Sequence, residues 1–403
     1  MWEQIRANRW RSVVLTAGMA IILLLIGYLV GLYFFDNAIG GLIIALLVWG
    51  IMSLIAYYQG DSILLGLSRA RKISRDDHPR LYNVVEEMKI ASGLEKMPDI
   101  YIIDDPALNA FSTGRDPNKA SVAITSGLLA KLNRDELQGV IGHEMAHIKN
   151  RDVLLMAMCA VMLGTIVILA WYATRVLFFS GVSGGRRSSS SSGGGAIIIL
   201  AVGIVLMILA PILAQIIYFT ISRKREYLAD ASSALYTRYP EGLASALEKI
   251  AASTAQLKSA NQATAPMYII NPFRQAGRAA SNLTSTHPPI QERIRILRAM
   301  AGASLTDYDR AYQEARGVKK GIAPSSTLAT AGAIALRAPS ADGKPVEEAA
   351  QRVERARETS DLMWRLHDYK TINCPCGTRL RVSPEFRGVN VQCPHCGRIL
   401  PVD

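Results

Sequence analysis

The stretch IGHEMAHIKNRD, residues 141–152, sets His143 and His147 four apart with Glu144 beside the first. On an α-helix, positions four apart lie about 40° from each other around the axis and about 6 Å along it, so both imidazoles can reach one ion. Zn2+ suits such a pair, because neutral imidazole is a good ligand and a d10 ion takes tetrahedral geometry without penalty. Glu144 points to a neighbouring azimuth, where its carboxylate acts on water instead of on the metal. Zinc lowers the pKa of a water it holds to roughly 7, and a carboxylate alongside can take the proton as that water attacks a carbonyl. This is the HExxH pattern of zinc peptidases. The alternative is a solvated polar helix face with no metal.

A catalytic zinc needs a third protein ligand and keeps its fourth position for water. SRKREYLADASSAL, residues 222–235, offers Glu226 and Asp230, four apart and so on one face of a predicted helix. We assign Glu226 to the metal. Asp230 is placed to accept the other ring N–H of a ligand histidine, fixing its tautomer. Taken alone, the two acids read equally as partners for Arg223, Lys224 and Arg225.

A second metal-ligating pattern lies near the C-terminus. Cys374 and Cys376, then Cys393 and Cys396, resemble the paired knuckles of a zinc ribbon, with a Gly after each pair. Four thiolates enclose Zn2+ in a closed site. The first pair is CxC, one residue short of the usual CxxC, and His395 is a possible substitute ligand. So small a module has too little core to fold on apolar burial, and metal binding would supply the energy. Two disulfides are the competing arrangement, disfavoured on a reducing side of the membrane. Cys159 lies in an apolar run and is read as packing.

These residues have to be positioned by helices, several of them in a bilayer. Asn133 followed by Glu136 is a capping-box start for the helix that carries His143, and Leu137, Val140, Ile141 and Ile148 recur on its buried stripe. Half of the 403 residues are hydrophobic, mean hydropathy is +0.18, and the formal net charge is nevertheless +12. Four runs reach the length of about 20 residues that crosses a hydrocarbon core: 13–35, 38–58, 153–173 and 196–220. Arg6, Arg9 and Arg11, with Arg69, Arg71, Lys72 and Arg75, put both termini in the cytoplasm. Lys149, Arg151 and Arg223–Arg225 agree, whereas the arginines of 175–195 do not. His143 and His147 precede the third run and Glu226 follows the fourth, so an antiparallel pair brings the three ligands together at the cytoplasmic boundary. Anionic lipid accounts for the basic surplus, and no nucleic acid is expected.

With these motifs in order, the chain resembles the integral-membrane zinc metalloproteases of the HtpX type, gluzincins related to the CAAX prenyl proteases. The resemblance covers roughly residues 1–300 and rests on the apolar hairpin, HEMAH, EYLAD, NAFSTG (109–114) and THPPIQERI (286–294). It implies a catalytic zinc on His143, His147 and Glu226, with Glu144 as general base. It further implies that strand 109–114 is an edge pairing with extended polypeptide substrate through Asn109, Ala110 and Phe111, although Phe111 by itself reads as core. His287 would donate to the oxyanion, and Arg293 would contact substrate or brace the site. His78 and His367 are read as surface residues.

The expected fold is mainly α: four transmembrane helices, a cytoplasmic zincin-like α+β catalytic domain, and a small C-terminal zinc ribbon. Its parts are a transmembrane hairpin (1–60), a metalloprotease domain (61–300), a linker (301–345), a charged helix (346–370) and the ribbon-like module (371–403). One catalytic and one structural Zn2+ are expected, in a multi-pass protein of a bacterial inner membrane. The expected activity is endopeptidase cleavage of membrane or misfolded proteins at the cytoplasmic face, as the resemblance implies for protein quality control. A prenyl-protein endoprotease and a non-catalytic zinc-binding membrane adaptor are the alternatives.

Overall fold

The structure, a computed structural model, describes residues 36–153, 223–258, 267–270, 287–323, 332–340 and 345–402, parts of 10–32, and residues 171, 175 and 328. The runs expected to cross at 153–173 and 196–220 lie outside the described residues, and with them the four-crossing topology. Among the described residues one helix is long and apolar enough to span a bilayer, α1 (Ala38–Leu67). Asn37 caps it, its Oδ1 accepting from Gly40 N at 2.9 Å. The preceding run is helical over residues 20–28. There the two helices touch backbone to backbone: a Cβ added at Gly27 or Gly31 would meet the carbonyl oxygen of Gly41 or Asn37 at 2.7 Å. Small residues of this kind let apolar helices approach closely in lipid.

After α1 the chain enters a four-stranded mixed sheet of β1 (Arg71–Ile73), β2 (Asp99–Ile103), β3 (Ala110–Gly114) and β4 (Ala120–Thr125), in the order β1-β2-β4-β3. β2 and β4 are parallel and the outer pairs antiparallel, so β3 is an edge. Between β1 and β2 lies α2 (Pro79–Ser92). Its N-cap is His78, expected at the surface but in fact 3% exposed, because Nδ1 accepts the otherwise orphaned Leu81 N–H at 3.1 Å. The short α3 (Ser126–Lys131) leads into α4 (Arg134–Lys149), which opens on the Asn133/Glu136 capping box. α4 is covered nearly all round by α2 and by α6 (Pro240–Ala252), with the helix over 223–237, α5, beside it. Gly139 is where α4 meets α6, since a Cβ there would come within 2.6 Å of Leu243 N. Ser233 of α5 donates to the Gly139 carbonyl at 2.6 Å and locks the third helix to the pair.

α7 (Ile290–Arg298) packs on α6 and is followed by α8 (Leu305–Arg316), capped by a Ser304/Asp307 box. The stretch expected as linker, 301–345, is therefore partly helix. Tyr308 of α8 is fully buried, and Arg337 holds Asp135 at 2.7 Å. The apolar residues that root α8 are spaced too sparsely among Ala, Ser and Pro for the sequence alone to separate this stretch from a linker. α9 (Pro345–Leu366) packs on α3. Its Leu362 enters the catalytic-domain core, Glu358 pairs with Arg80 at 3.6 Å, and Arg365 donates to the Asp77 carbonyl at 2.5 Å. His367 is partly exposed and pairs with Asp104 at 2.8 Å. Two antiparallel hairpins complete the chain: β5 (Lys370–Asn373) with β6 (Arg379–Val382), and β7 (Asn390–Gln392) with β8 (Ile399–Pro401).

Leu362 is 0% exposed, so Leu362→Ala should loosen the docked tail by about 2–5 kcal/mol. Hydrogen exchange in α9 should accelerate while α4 keeps its protection; unchanged α9 protection would show that this contact does not hold the tail.

Candidate active site

α4 presents His143 and His147 on one face, and α5 brings Glu226 to meet them. His143 Nε2 and His147 Nε2 are 3.2 Å apart, and Glu226 places Oε2 at 3.5 Å from the first and Oε1 at 3.4 Å from the second. For bonds of about 2.0–2.1 Å, the edge of a coordination tetrahedron is about 3.3 Å. The two imidazole nitrogens are spaced as such an edge, a different Glu226 oxygen faces each of them, and one donor atom from each of the three buried residues lies within 4.8 Å of the others, close enough to share one ion.

The other ring nitrogen of each histidine has its own carboxylate. Asp230 Oδ1 lies 3.0 Å from His143 Nδ1, and Asp152 Oδ2 lies 3.2 Å from His147 Nδ1. Such partners fix the tautomer, so that Nε2 presents its lone pair inward. Asp230 is in turn gripped by Arg293 of α7 through a fork, Nε to Oδ2 at 2.9 Å and Nη2 to Oδ1 at 2.7 Å. Arg293 Nη1 donates to the Ile269 carbonyl at 3.0 Å and lies 3.5 Å from Glu226 Oε2. At 1% exposure, Arg293 ties α7 to α5. Removing one partner of so buried a pair costs about 3–5 kcal/mol, against about 0–1 kcal/mol for exposed pairs such as Arg298 with Glu241.

Glu144 lies beside the ligands at 1% exposure. Its Oε2 accepts from Ser112 Oγ of β3 at 2.7 Å, and Oε1 has no hydrogen-bond partner among the described residues. Burial raises its pKa against the pull of His143 and His147. His287, just ahead of α7, is buried with Nε2 at 3.9 Å from Glu226 Oε2. Burial and the nearby Arg293 guanidinium push its pKa down to about 4, so it is neutral at pH 7 and offers an N–H.

Of the residues singled out in the sequence, His143, Glu144, His147, Glu226, Asp230, His287 and Arg293 converge on one volume. Asn109 does not join them: its Nδ2 donates to the Ile270 carbonyl at 3.1 Å and its Oδ1 accepts from Ala110 N. The Ala110 carbonyl takes Ile269 N at 2.9 Å, and Phe111 lies in a second core cluster, edge-on to Tyr268. Sequence reasoning missed Ser112, Asp152 and Arg225. Ser112 lay inside NAFSTG and Asp152 closed the first quoted stretch, but only tertiary contact distinguishes them from ordinary turn and strand polar residues.

Charge supplies the test of whether a metal fits. Glu144, Asp152, Glu226 and Asp230 are buried carboxylates, and Arg225 and Arg293 are the buried guanidinium groups among them. With neutral imidazoles, four negative charges face two positive ones, and the difference is the charge of one divalent cation. Glu226 Oε2, buried and without a hydrogen-bond partner among the described residues, is the atom such a cation would satisfy. Without the cation the histidines must carry the balance. Although burial opposes it, Asp152 and Glu226 raise His147 to about 10, and Asp230 and Glu226 raise His143.

The four cysteines pass a similar test. Cys374 Sγ lies 3.5 Å from Cys396 Sγ, and Cys376 Sγ lies 3.7 Å from Cys393 Sγ. These separations are near the roughly 3.8 Å edge of a tetrahedron with about 2.3 Å bonds and far beyond the about 2.05 Å of a disulfide. The CxC knuckle closes as the CxxC one does, with Gly377 and Gly397 both at positive φ.

The chain matches the model of Peptidase family M48 over residues 75–301. Among curated proteins, it is 46% identical over 299 residues to the Protease HtpX homolog of Dictyoglomus turgidum, covering 74% of this chain and 94% of that one. The Protease HtpX homolog of Lactobacillus helveticus is 40% identical over 301 residues, 74% of this chain and its own full length. Among solved structures, Ste24p of S. mikatae aligns with a TM-score of 0.41 at 20% identity, covering 74% of this chain and 67% of that one.

The raised His147 gives a pH dependence of definite sign. In the metal-free protein its pairing stabilises the fold fully below about 6.5, the ordinary value, and is lost as pH rises through about 10. Zinc must displace these protons, so zinc binding strengthens over the same range. The melting temperature of chelated protein in detergent should fall from pH 6.5 upward, with the gain on adding zinc widening. At pH 7, weakly buffered zinc titration should release at least the His147 proton; no release would show that His147 is not a ligand.

Proposed function

Since the chain belongs to peptidase family M48, in its HtpX-type branch, we propose that this zinc metalloprotease is a membrane-embedded endopeptidase. It cleaves membrane or misfolded polypeptides at the cytoplasmic face of a bacterial inner membrane, in protein quality control. Glu144 carries the reading. A closed structural metal site has no use for a buried carboxylate beside its ligands, tethered at one oxygen with the other unengaged among the described residues.

His143, His147 and Glu226 would hold Zn2+, which would supply Lewis acidity for the scissile carbonyl and the attacking water. Glu144 takes the proton of that water through Oε1 and passes it to the departing amide nitrogen; a carboxyl whose pKa is raised by burial is suited to both tasks. Ser112 holds Oε2 so that Oε1 keeps its aim. Neutral His287 donates its N–H to the developing oxyanion. Asp230 and Asp152 hold the two ligand rings, and Arg293 acts as a brace through Asp230 and not as a substrate contact.

Substrate pairs in extended form with the edge of β3. Asn109 turns its carbonyl inward to Thr125 N at 3.0 Å. By antiparallel alternation, Ala110, Ser112 and Gly114 then turn their backbone groups away from β4, on a strand whose five residues are all buried. The Ala110 carbonyl is already occupied by Ile269, so Ser112 and Gly114 are left to meet the substrate backbone, Ser112 beside Glu144. The cysteine-rich tail holds a structural zinc in a closed site.

Glu144→Gln should keep the catalytic zinc and lower peptide cleavage by at least about 10²–10⁴-fold; undiminished hydrolysis would reject the mechanism. His287→Ala should lower kcat by about 10²–10³-fold with a small change in KM, and a change confined to KM would place His287 outside the oxyanion contact. Cys376→Ser should release about one zinc per chain and leave cleavage at least partly intact. Complete inactivation with a preserved fold would make the tail part of the catalytic centre.

A further inference from the structure

Thirty residues of α1 span about 45 Å at 1.5 Å per residue, against about 30 Å of hydrocarbon. Its exposed large apolar side chains run from Ile39 to Tyr58, apart from the isolated Leu67. Tyr57 and Tyr58 then form the kind of aromatic pair that sits at a bilayer interface. Past them come Asp61 and the buried Leu64 and Leu65. The helix thus leaves the bilayer near Tyr58 and continues without a break into the catalytic domain.

Its far end is fastened to β3. Leu64 and Leu65 share an apolar cluster with Phe111 and Tyr268, and Ser68 Oγ is 3.2 Å from Tyr268 OH. At the other end of the strand, the Arg115 guanidinium lies over the Tyr58 ring, 5.7 Å from its centroid. β3 therefore runs alongside the protruding end of α1, with Gly114 toward the membrane and Ala110 away from it. Two measures give the height of the site. Along α1, Tyr58 to Leu64 and Leu65 is about 10 Å. Along β3, Arg115 to Ser112 is also about 10 Å. Ser112 is the residue that donates to Glu144.

We propose that the enzyme measures height above the bilayer. It takes the extended segment adjoining a transmembrane helix of another membrane protein and cuts it about three to five residues beyond the hydrocarbon boundary, as about 10 Å of strand requires. This rests on the reading of β3 as the strand that pairs with substrate. A segment that stays helical past the boundary would need about seven residues to climb the same distance, with its N–H groups already bonded and unable to pair with a strand. The site thereby selects membrane proteins whose first turns outside the lipid have unravelled.

The test uses the full-length zinc-loaded protein in liposomes with a single-span substrate. Its segment beyond the membrane is a uniform Ser/Ala/Gly repeat, so that every peptide bond there is chemically alike, and products are mapped by intact mass. Cuts should gather about three to five residues from the end of the apolar run. Lengthening that run by three residues should move the cuts by three. Replacing the repeat by a stable helical Glu/Ala/Lys spacer should abolish cleavage in that window. Cuts spread evenly, or unmoved when the boundary moves, overturn the proposal while leaving the protease intact if a soluble unfolded peptide is still cleaved. If neither substrate is cut, the proteolytic reading itself fails.

Discussion

The structure depends on balancing charge where water is excluded. Four carboxylates and two guanidinium groups are buried around three imidazoles, each at 5% exposure or less. Uncompensated charge costs several kcal/mol per ion in such a place, and the groups could not be gathered without an answer to it. Ion pairs answer part of it: Arg293 neutralises Asp230 through a planar hydrogen-bonded fork, and Arg225 lies 4.0 Å from Asp152. The remaining two negative charges are met either by protons on the histidines or by one divalent cation. Helix positions follow from this requirement, because α4, α5 and α7 each contribute charged groups to the same cluster.

The close helix contacts serve the same end. Gly139 lets α6 press against α4, and Ser233 binds α5 to the same carbonyl, so the ring carrying His143 is fixed relative to Glu226 on a different helix. The bidentate pair of Arg293 and Asp230 then fixes α7, which carries His287 at its entrance. A displacement of one helix by an ångström would part His143 and His147 from Glu226, whose two oxygens each lie within 3.5 Å of one imidazole nitrogen. The membrane helix joins this framework through Phe111 and Tyr268, so the strand beside Glu144 shares a rigid core with the bilayer anchor.

Much of this was legible in the sequence because the information is local. Four-residue spacing put His143 with His147 and Glu226 with Asp230, and the Asn133 and Glu136 capping box marked where α4 begins. The edge strand expected at 109–114 appears as β3. What escaped was tertiary. Ser112 matters only because β3 is an edge lying across from Glu144, and Asp152 only because the chain bends after α4 to bring it under His147. His78 looked like a surface residue until α2 needed an N-cap. The expected linker concealed α8, whose Tyr308 is rooted in the core, and residues up to Ser340 that return to Asp135. Asn109 shows the same limit from the other direction: its motif marks the strand, but that its side chain holds the Ile270 carbonyl is seen only in the fold.

The two clusters able to hold a metal differ in the number of protein donors they offer. At the tail, two hairpins bring four thiols within 4.8 Å of one another, a set that could hold a second ion with four protein donors and leave no place for substrate. Between α4 and α5 there are three donors, and the fourth corner is flanked by a carboxylate whose nearest tether comes from the sheet, not from the helices. The difference therefore lies in Glu144, which adds no bond to the site and costs the fold a buried acid. A structural centre would gain stability by replacing it with an apolar residue. The fold instead retains it, supported by Ser112 at one oxygen, in the position where a water molecule would lose its proton.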